Sequence, residues 1–450
     1  MKAPRIVIAA ERSDAGKSTI VVGILLALRK RGIDAQPFKA GPDFLDPMHH
    51  SIIMKRKSRN LDTWMFPEMV RPLFTKNSEG ADISIVEGVM GFYDGVDGIS
   101  EEGSTAHLAK MIDAPVILIL DAKGSARSMG AVALGFKAYD KDADIQGIIF
   151  NKVGSEKHLS MLETSLRGVR SLGGMPRAPD ISLESRHLGL VPAEETYDME
   201  KYEKIASLVE EHIDLDAIID IANSASEIDP YPPPDDCGCC DVTLAVAKDM
   251  AFNFYYQDNL DMIEACGASI AYFSPLKDDL PDADGVYLGG GYPELFSDTL
   301  FANTKLRKQI KQKSDDGMPI YAECGGMMYL CDNVVGLDGT SRKMTGVFDA
   351  SIEMSGRLKA LSYVQAKTTC DTPLLGKGTE FRGHEFHYSH VKECSEDVFA
   401  YDMKYGKGIC DGKDGFIRNN TLASYTHLHF GNNMEMPQRF VDSLKSYSRT

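Results

Sequence analysis

Short buried-type apolar runs that alternate with helix-patterned stretches leave few folds open to the first half of this chain. Arg5 to Ala10, Ala35 to Lys39, Ile83 to Glu87, Val116 to Asp121 and Gly147 to Asn151 read as strands, and the last three each close on a polar residue. Between them, Ser18 to Arg31 (stopping at Gly32), Thr105 to Met111 and Met129 to Lys137 read as helices. Strand, helix, strand in this rhythm predicts an α/β fold with a mostly parallel sheet covered on both faces. Ligands of such sheets sit beyond the carboxyl ends of the strands, where the polar residues just named gather.

The rhythm breaks at Ile228 to Cys240, a proline-rich acidic stretch that cannot continue a helix. A chain of 450 residues exceeds one ordinary core, so two domains are expected: residues 1–229, a linker at 230–241, and residues 242–450. After the linker the pattern resumes with Thr243 to Ala247, Gly285 to Leu288 and Pro319 to Ala322. Runs such as Ala114 to Leu120 are too short to cross a bilayer, and the N-terminus reads as a first strand, not a signal peptide. Nine cysteines without a regular framework fit a reducing cytoplasm. Cys237, Cys239 and Cys240 lack partners at finger spacing, so no metal site is expected there. A formal charge of −17 argues against a broad nucleic-acid surface and leaves room for one basic pocket, Lys55 to Arg59. No membrane or nucleic-acid partner is expected, and a homodimer is left open.

Between the first strand and the first helix, Gly16, Lys17 and Ser18 supply the tail of a phosphate-binding loop. Its glycine lets backbone N–H groups wrap phosphate, its lysine meets the β/γ oxygens, and its hydroxyl suits Mg²⁺. The head departs from GxxxxGK[ST], because Glu11 stands where the first glycine belongs and Asp14 must point away from phosphate. Glu87 ends its strand where a Walker-B-like carboxylate would hold Mg²⁺, and runs into the glycine-rich loop Gly88 to Gly95. Asn151 ends another strand, with an amide suited to adenine. ATP with Mg²⁺, held by Ser18 and Glu87, is the ligand these residues fit best.

In the second half, Met318 to Ala322 delivers Cys324 into Gly325 and Gly326, a strand–turn–helix elbow of the kind that presents a nucleophile. Backbone N–H groups from Gly325 onward can stabilise a thiolate or an oxyanion. Upstream, Gly289, Gly290 and Gly291 offer bare N–H groups after a strand, and downstream His427 and His429 follow an apolar run. Cysteine, histidine and an oxyanion loop are the parts of thiol-mediated acyl transfer. His384, His387 and His390 invite a metal reading, but on one strand the middle histidine faces away from the other two.

In order along the chain come Gln36 to Pro47, Ser58 to Asp62, Val86 to Gly91, Arg186 to Pro192, Gly289 to Glu294, Arg382 to Ser389 and Tyr425 to Phe430. Taken together, these motifs make the whole chain resemble the cobyrinate a,c-diamide synthases and their relatives, the nickel-sirohydrochlorin a,c-diamide synthases. The resemblance implies an N-terminal domain similar to dethiobiotin synthetase and a C-terminal class I glutamine amidotransferase domain. It implies Cys324 as glutaminase nucleophile and His427 as its base, with L-glutamine beside Gly289 to Gly291 and the Gly383–Ser389 strand. Lys17, Ser18 and Glu87 map to ATP and Mg²⁺, and Lys39, Asp43, Asp46 and Asp94 to the synthetase site. Class I amidotransferases carry His-x-Glu, whereas the position two after His427 is His429, so no triad carboxylate can be read and the pair works as a dyad or borrows another orienter.

The implied chemistry joins the two sites: a carboxylate made reactive as an acyl phosphate, and ammonia from glutamine that passes to it from the other domain. A tetrapyrrole polycarboxylate as substrate turns Lys55 to Arg59 into an expected contact, with Arg59 foremost. Within the family the rival is nickel-sirohydrochlorin, for coenzyme F430 biosynthesis in place of cobalamin biosynthesis; one enzyme serving both stays open. Cobyric acid synthase fits the Gly41–Pro47 and His384–Ser389 motifs less well. A MinD-like regulatory protein with a dead amidotransferase domain would lack the cysteine or the histidine, and both are present.

Overall fold

The computed structural model describes residues 1–178, 198–230 and 241–449. The Arg186–Pro192 motif and Cys237, Cys239 and Cys240 lie outside them. The chain forms two compact units, Met1–Pro233 and Pro234–Thr450.

In the first unit the apolar runs become β1 (Arg5–Ala10), β2 (Ala35–Ala40), β3 (Arg59–Leu61), β4 (Ile83–Glu87), β5 (Val116–Asp121), β6 (Ile145–Val153) and β7 (Arg170–Pro176). Among the described residues they make one sheet in the order β3-β2-β4-β1-β5-β6-β7, with every pairing parallel. Every residue of β1, β2, β4 and β5 is buried, as a parallel sheet covered on both faces requires. One covering layer joins the helix Lys17–Lys30 to the helices Met199–His212 and Leu215–Asn223 through Ile20, Ile24, Tyr202, Ile205, Val209 and Ile218. Register then places chemistry side by side at one edge, with Lys39 opposite Glu87 and Asp121 opposite Asn151.

The second unit holds β8 (Val242–Ala247), β9 (Ala268–Phe273), β10 (Gly285–Leu288), β11 (Ile320–Glu323), β12 (Cys331–Val335), β13 (Ser341–Lys343) and β14 (Phe348–Met354). There follow β15 (Ala360–Thr368), β16 (Glu380–His387), β17 (Ser389–Cys394), β18 (Phe399–Tyr405), β19 (Lys413–Arg418) and β20 (Thr421–Ser424). A nine-stranded sheet runs β16-β15-β18-β19-β20-β11-β10-β8-β9, parallel from β20 to β9 and antiparallel from β20 to β16. A four-stranded sheet, β13-β12-β14-β17, packs Val334, Phe348, Ala350 and Ile352 into the same core as β10 and β11.

The histidine-rich stretch is not the single strand its alternation implies. β16 ends at His387 in the large sheet, and β17 starts at Ser389, paired with Met354 of β14 in the small one. The chain changes sheets at Tyr388, so the face arithmetic of one strand does not apply across it.

Candidate active site

In the first unit the loop after β1 is closed from two sides. Gly16 adopts a left-handed conformation with φ 88°, and a side-chain carbon there would fall 2.1 Å from the Asn151 amide nitrogen. That nitrogen donates to the Ala15 carbonyl at 2.7 Å, while the Asn151 oxygen accepts from the Lys152 backbone at 2.8 Å. Asn151 therefore buttresses the loop. The unusual head is tied down as well. Glu11 accepts from the Asp121 backbone at 3.0 Å, and Asp121 pairs with Arg12 at 2.7 Å and Lys152 at 2.8 Å. Asp14 is exposed, on the outside of the turn.

Below this loop the strand ends build a charged cluster. Ser18 donates to Glu87 at 2.7 Å, and Lys17 donates to the Met90 carbonyl at 2.9 Å. Burial first, then the charge of Lys39, lowers the Lys17 ammonium to about 8. Lys39 pairs with Asp46, with Glu87 at 3.1 Å and with Asp43 at 3.8 Å, and donates to the Gly88 carbonyl at 3.1 Å. Burial would lower its ammonium, but Asp46, then Glu87 and Asp43, outweigh burial and hold it above the usual lysine range. Glu87 is fully buried; burial pushes its carboxyl up, and Lys39, His50 and Lys17 together hold it well below the carboxylate range.

His50 is a member of this cluster that sequence reasoning missed. Its Nε2 lies 2.8 Å from Glu87 and its Nδ1 3.3 Å from Ser58. Asp94 is exposed and accepts from the Gly91 backbone at 3.0 Å, bracing the loop after β4. The basic run is divided. Arg56 is engaged by Asp34 at 2.7 Å, at the amino end of β2, whereas Arg59 opens β3 opposite Phe38.

In the second unit Cys324 sits where β11 ends, with φ 45° and ψ −99°. Few residues other than glycine adopt this conformation, so the elbow is strained. The Cys324 N–H donates to the Ser424 carbonyl of β20 at 2.7 Å, and its Sγ lies 3.9 Å from the Phe386 carbonyl. Burial, and then the charges of Glu294 and Glu323, push the thiol well above its ordinary value, so the nucleophile rests protonated and needs a base. Gly325 packs against Gly291 so closely that a side-chain carbon on it would stand 3.0 Å from the Gly291 nitrogen. The helix after the elbow, Gly325–Leu330, is short because the chain enters β12 at Cys331.

His427 follows β20, the neighbour of β11, so the sheet brings together two segments that are far apart in the unit's sequence. Its ring stacks on His384 with centroids 4.9 Å apart and planes at 12°, and His384 and His427 exchange backbone hydrogen bonds of 3.1 and 2.8 Å. The ring edge lies over Gly290, where a side-chain carbon would meet Cε1 at 2.6 Å. Burial and the neighbouring His427 hold the His384 imidazole well below its ordinary value, so the stacked partner is neutral.

The flanking chain is pinned by buried groups. Asp414 accepts from the Tyr425 and Thr426 N–H groups at 3.0 and 2.9 Å, and Asn259 bridges the Leu428 carbonyl and the Phe430 N–H at 2.7 Å each. His429, at the position of the expected carboxylate, turns to Asp258 at 3.7 Å and the Tyr256 ring. The carboxylate beside His427 is Glu323, 3.4 Å from Nδ1. The sequence signal for it was a charged residue closing an otherwise apolar strand, the same signal that marked Glu87.

The two units define a phosphate-loop nucleotide-binding domain followed by a glutamine amidotransferase domain. Residues 6–191 match the CobQ/CobB/MinD/ParA nucleotide binding domain, and residues 243–435 match the CobB/CobQ-like glutamine amidotransferase domain. A cobyrinate a,c-diamide synthase of Methanothermobacter thermautotrophicus is 42% identical over 435 residues, covering 94% of this chain and 96% of its own. One from Listeria monocytogenes is 42% identical over 442 residues, covering 96% and 97%, and one from Methanobrevibacter smithii is 42% identical over 456 residues, covering 97% and 99%. The chain belongs to the cobyrinate a,c-diamide synthase family and is a glutamine-dependent amidating ligase. Among the described residues no helix is long and apolar enough to cross a membrane.

Proposed function

We propose that this ligase amidates the a and c acetate side chains of cobyrinate, with ATP as the activating substrate, in the cytoplasm. The observation that supports the reading is a cluster in each unit: Ser18 hydrogen-bonded to Glu87 with Lys17 beside it in one, and Cys324 and His427 following the neighbouring strands β11 and β20 in the other. The relatives' names supply the substrate.

A carboxylate is unreactive toward ammonia near neutral pH, because its carbonyl is deactivated and its leaving group is oxide. Transfer of the γ-phosphoryl group to one carboxylate oxygen gives an acyl phosphate whose leaving group is phosphate. Lys17 and the loop N–H groups after Gly16 stabilise the phosphoryl oxygens. Lys39 holds Glu87, Asp46 and Asp43 in place, and Arg59 meets a substrate carboxylate. The cluster suits Mg²⁺: a hydroxyl and carboxylates are hard oxygen donors, and burial and the neighbouring Asp46 push the Asp43 carboxyl up to about 7, as acids crowded beside one another do. Ser18 and Glu87 would hold the ion, which would offset the charge on the phosphate oxygens.

In the second unit His427 takes the proton of Cys324 as the sulfur attacks the glutamine amide. Gly290, Gly291 and Gly325 line the oxyanion side, and His427 returns the proton to departing ammonia. Water then cleaves the thioester to release glutamate. Ammonia attacks the acyl phosphate, phosphate leaves, and a second round amidates the other acetate.

The test is purified protein with ATP, Mg²⁺ and glutamine, offered cobyrinate and nickel-sirohydrochlorin separately, with products weighed by mass spectrometry. Two successive carboxyl-to-amide shifts on cobyrinate are expected. No shift on it would overturn the assignment, and shifts on nickel-sirohydrochlorin alone would transfer it to that substrate.

A further inference from the structure

We propose that Glu323, the residue immediately before the cysteine, is the positioning carboxylate of the glutaminase site, holding His427 through Nδ1 so that Nε2 serves Cys324. The inference rests on the reading that Cys324 and His427 hydrolyse glutamine.

Glu323 ends β11 with its side chain buried to 1% exposure, on the same face as Tyr321, two residues earlier. Its oxygens meet donors on every side. Tyr321 donates its hydroxyl at 2.5 Å and the Leu428 N–H donates at 3.0 Å, both to Oε1. Tyr287 donates its hydroxyl to Oε2 at 3.2 Å, the same oxygen that stands 3.4 Å from His427 Nδ1. An ionised carboxylate only accepts, and a tyrosine hydroxyl and a backbone N–H supply donors. The group facing Oε2 from His427 is therefore assigned as Nδ1–H, which leaves the lone pair on Nε2 as the base.

The bond to Leu428 matters as much as the contact with the ring. A single carboxylate holds the backbone of the residue after His427 and faces the His427 ring at 3.4 Å, so backbone and ring are placed against the same group at the end of β11. Because Cys324 is covalently next to Glu323, nucleophile and base share one anchor. Gly290 beneath Cε1 and His384 on the ring face remove the remaining freedom. The carboxylate that amidotransferases place two residues after histidine is thus supplied here from the strand of the nucleophile, and His429 is released to pair with Asp258.

The experiment compares glutamine-driven and ammonium-driven amidation in Glu323→Gln, Glu323→Asp and Cys324→Ala, with thermal melts of each. Glu323→Gln keeps an acceptor for Tyr321 and Leu428 but turns an N–H toward Nδ1, forcing the proton to Nε2. Glutamine-driven kcat should fall about a hundredfold or more, with the KM for glutamine and the ammonium-driven rate unchanged. The acidic limb of the glutaminase pH profile should move to lower pH, because the imidazolium loses its counter-charge. Glu323→Asp should recover part of the loss and restore the limb. Glutamine-driven kcat within twofold of the parent in Glu323→Gln, with an unmoved pH profile, overturns the proposal. So does a Glu323→Gln protein whose melt and ammonium-driven rate fall together, which would make Glu323 a structural residue. Cys324→Ala separates the two levels: if it keeps glutamine-driven turnover, the underlying reading fails, whatever Glu323 does.

Discussion

Gly290→Ala tests the placement of His427 without replacing either reacting side chain. Gly290 does not occupy the left-handed region, so alanine fits its backbone, and the perturbation is the added methyl group alone. That carbon would lie 2.6 Å from His427 Cε1 and 3.3 Å from two atoms of the Phe254 side chain. Carbon atoms rest about 3.5–4.0 Å apart, so the ring must retreat by roughly 1 Å. His384 stacks on one face of the ring and Glu323 stands at Nδ1, so the ring cannot retreat and keep its aim. A displacement of about 1 Å costs on the order of 10²-fold when a catalytic group must meet its partner within hydrogen-bond reach. Glutamate release from glutamine should fall by about that factor, while amidation driven by ammonium chloride proceeds at the parental rate. An unchanged glutaminase rate in a folded Gly290→Ala protein would refute the geometry argued for His427. A loss of both rates would show the loop to be structural.

In the first unit, Glu87→Gln should abolish glutamine- and ammonium-driven amidation alike, because activation of the carboxylate precedes either nitrogen source; product formation by mass spectrometry reads both. Glutaminase activity in that variant is expected to remain, and its loss would contradict the division of labour. For the thiol, the sign follows from burial. Cys324 is raised above a free thiol, which titrates near 8.5, so its thiolate fraction below that pH is smaller than in a free cysteine. Iodoacetamide labelling of the Cys324 peptide should therefore keep climbing beyond pH 9, and a plateau below pH 8.5 would reveal a preformed thiolate instead. Free cysteine added to the same reaction provides the reference, because partial burial also raises the thiols of Cys394 and Cys410.

Much of this fold was legible because a parallel sheet declares itself twice, in short apolar runs and in what ends them. β1, β4 and β5 fall where the runs fall, and Glu87 was marked as a ligand-edge residue by being the one charge in Ile-Ser-Ile-Val-Glu. Tyr-Ala-Glu carries the same mark at Glu323, but the His-x-Glu pattern of amidotransferases puts the expected carboxylate downstream, after the histidine. What closed that gap was strand order: β11 lies between β10 and β20, which no local pattern encodes. His50 escaped for a related reason. It sits on the helix Leu45–Met54, and only the fold of the chain lays it against Glu87. The histidine-rich stretch misled because alternation predicts a face only within one sheet, and Tyr388 is where the chain changes sheets.

Lys39 shows how the first unit tolerates so much buried charge, and its removal gives a stability prediction that can fail cleanly. Its side chain is 3% exposed, and the two nearest carboxylates, Asp46 and Glu87, are 8% and 0% exposed. Replacing Lys39 by methionine keeps the length and removes the cation, leaving both acids with less compensation in a site they cannot leave. Breaking a buried ion pair from one side costs about 3–5 kcal/mol, far more than the pair contributes when intact. Urea unfolding of the full-length chain, followed by a probe in the first unit, should show a loss of that size in Lys39→Met. Adding Asp46→Asn should restore part of it, because the second substitution removes an acid that had lost its partner, so the two effects cannot add. A Lys39→Met protein destabilised by less than about 1 kcal/mol would mean that solvent reaches the cluster and screens it as at a surface. The low exposure of Glu87 would then give no reason to expect a strongly held cation there.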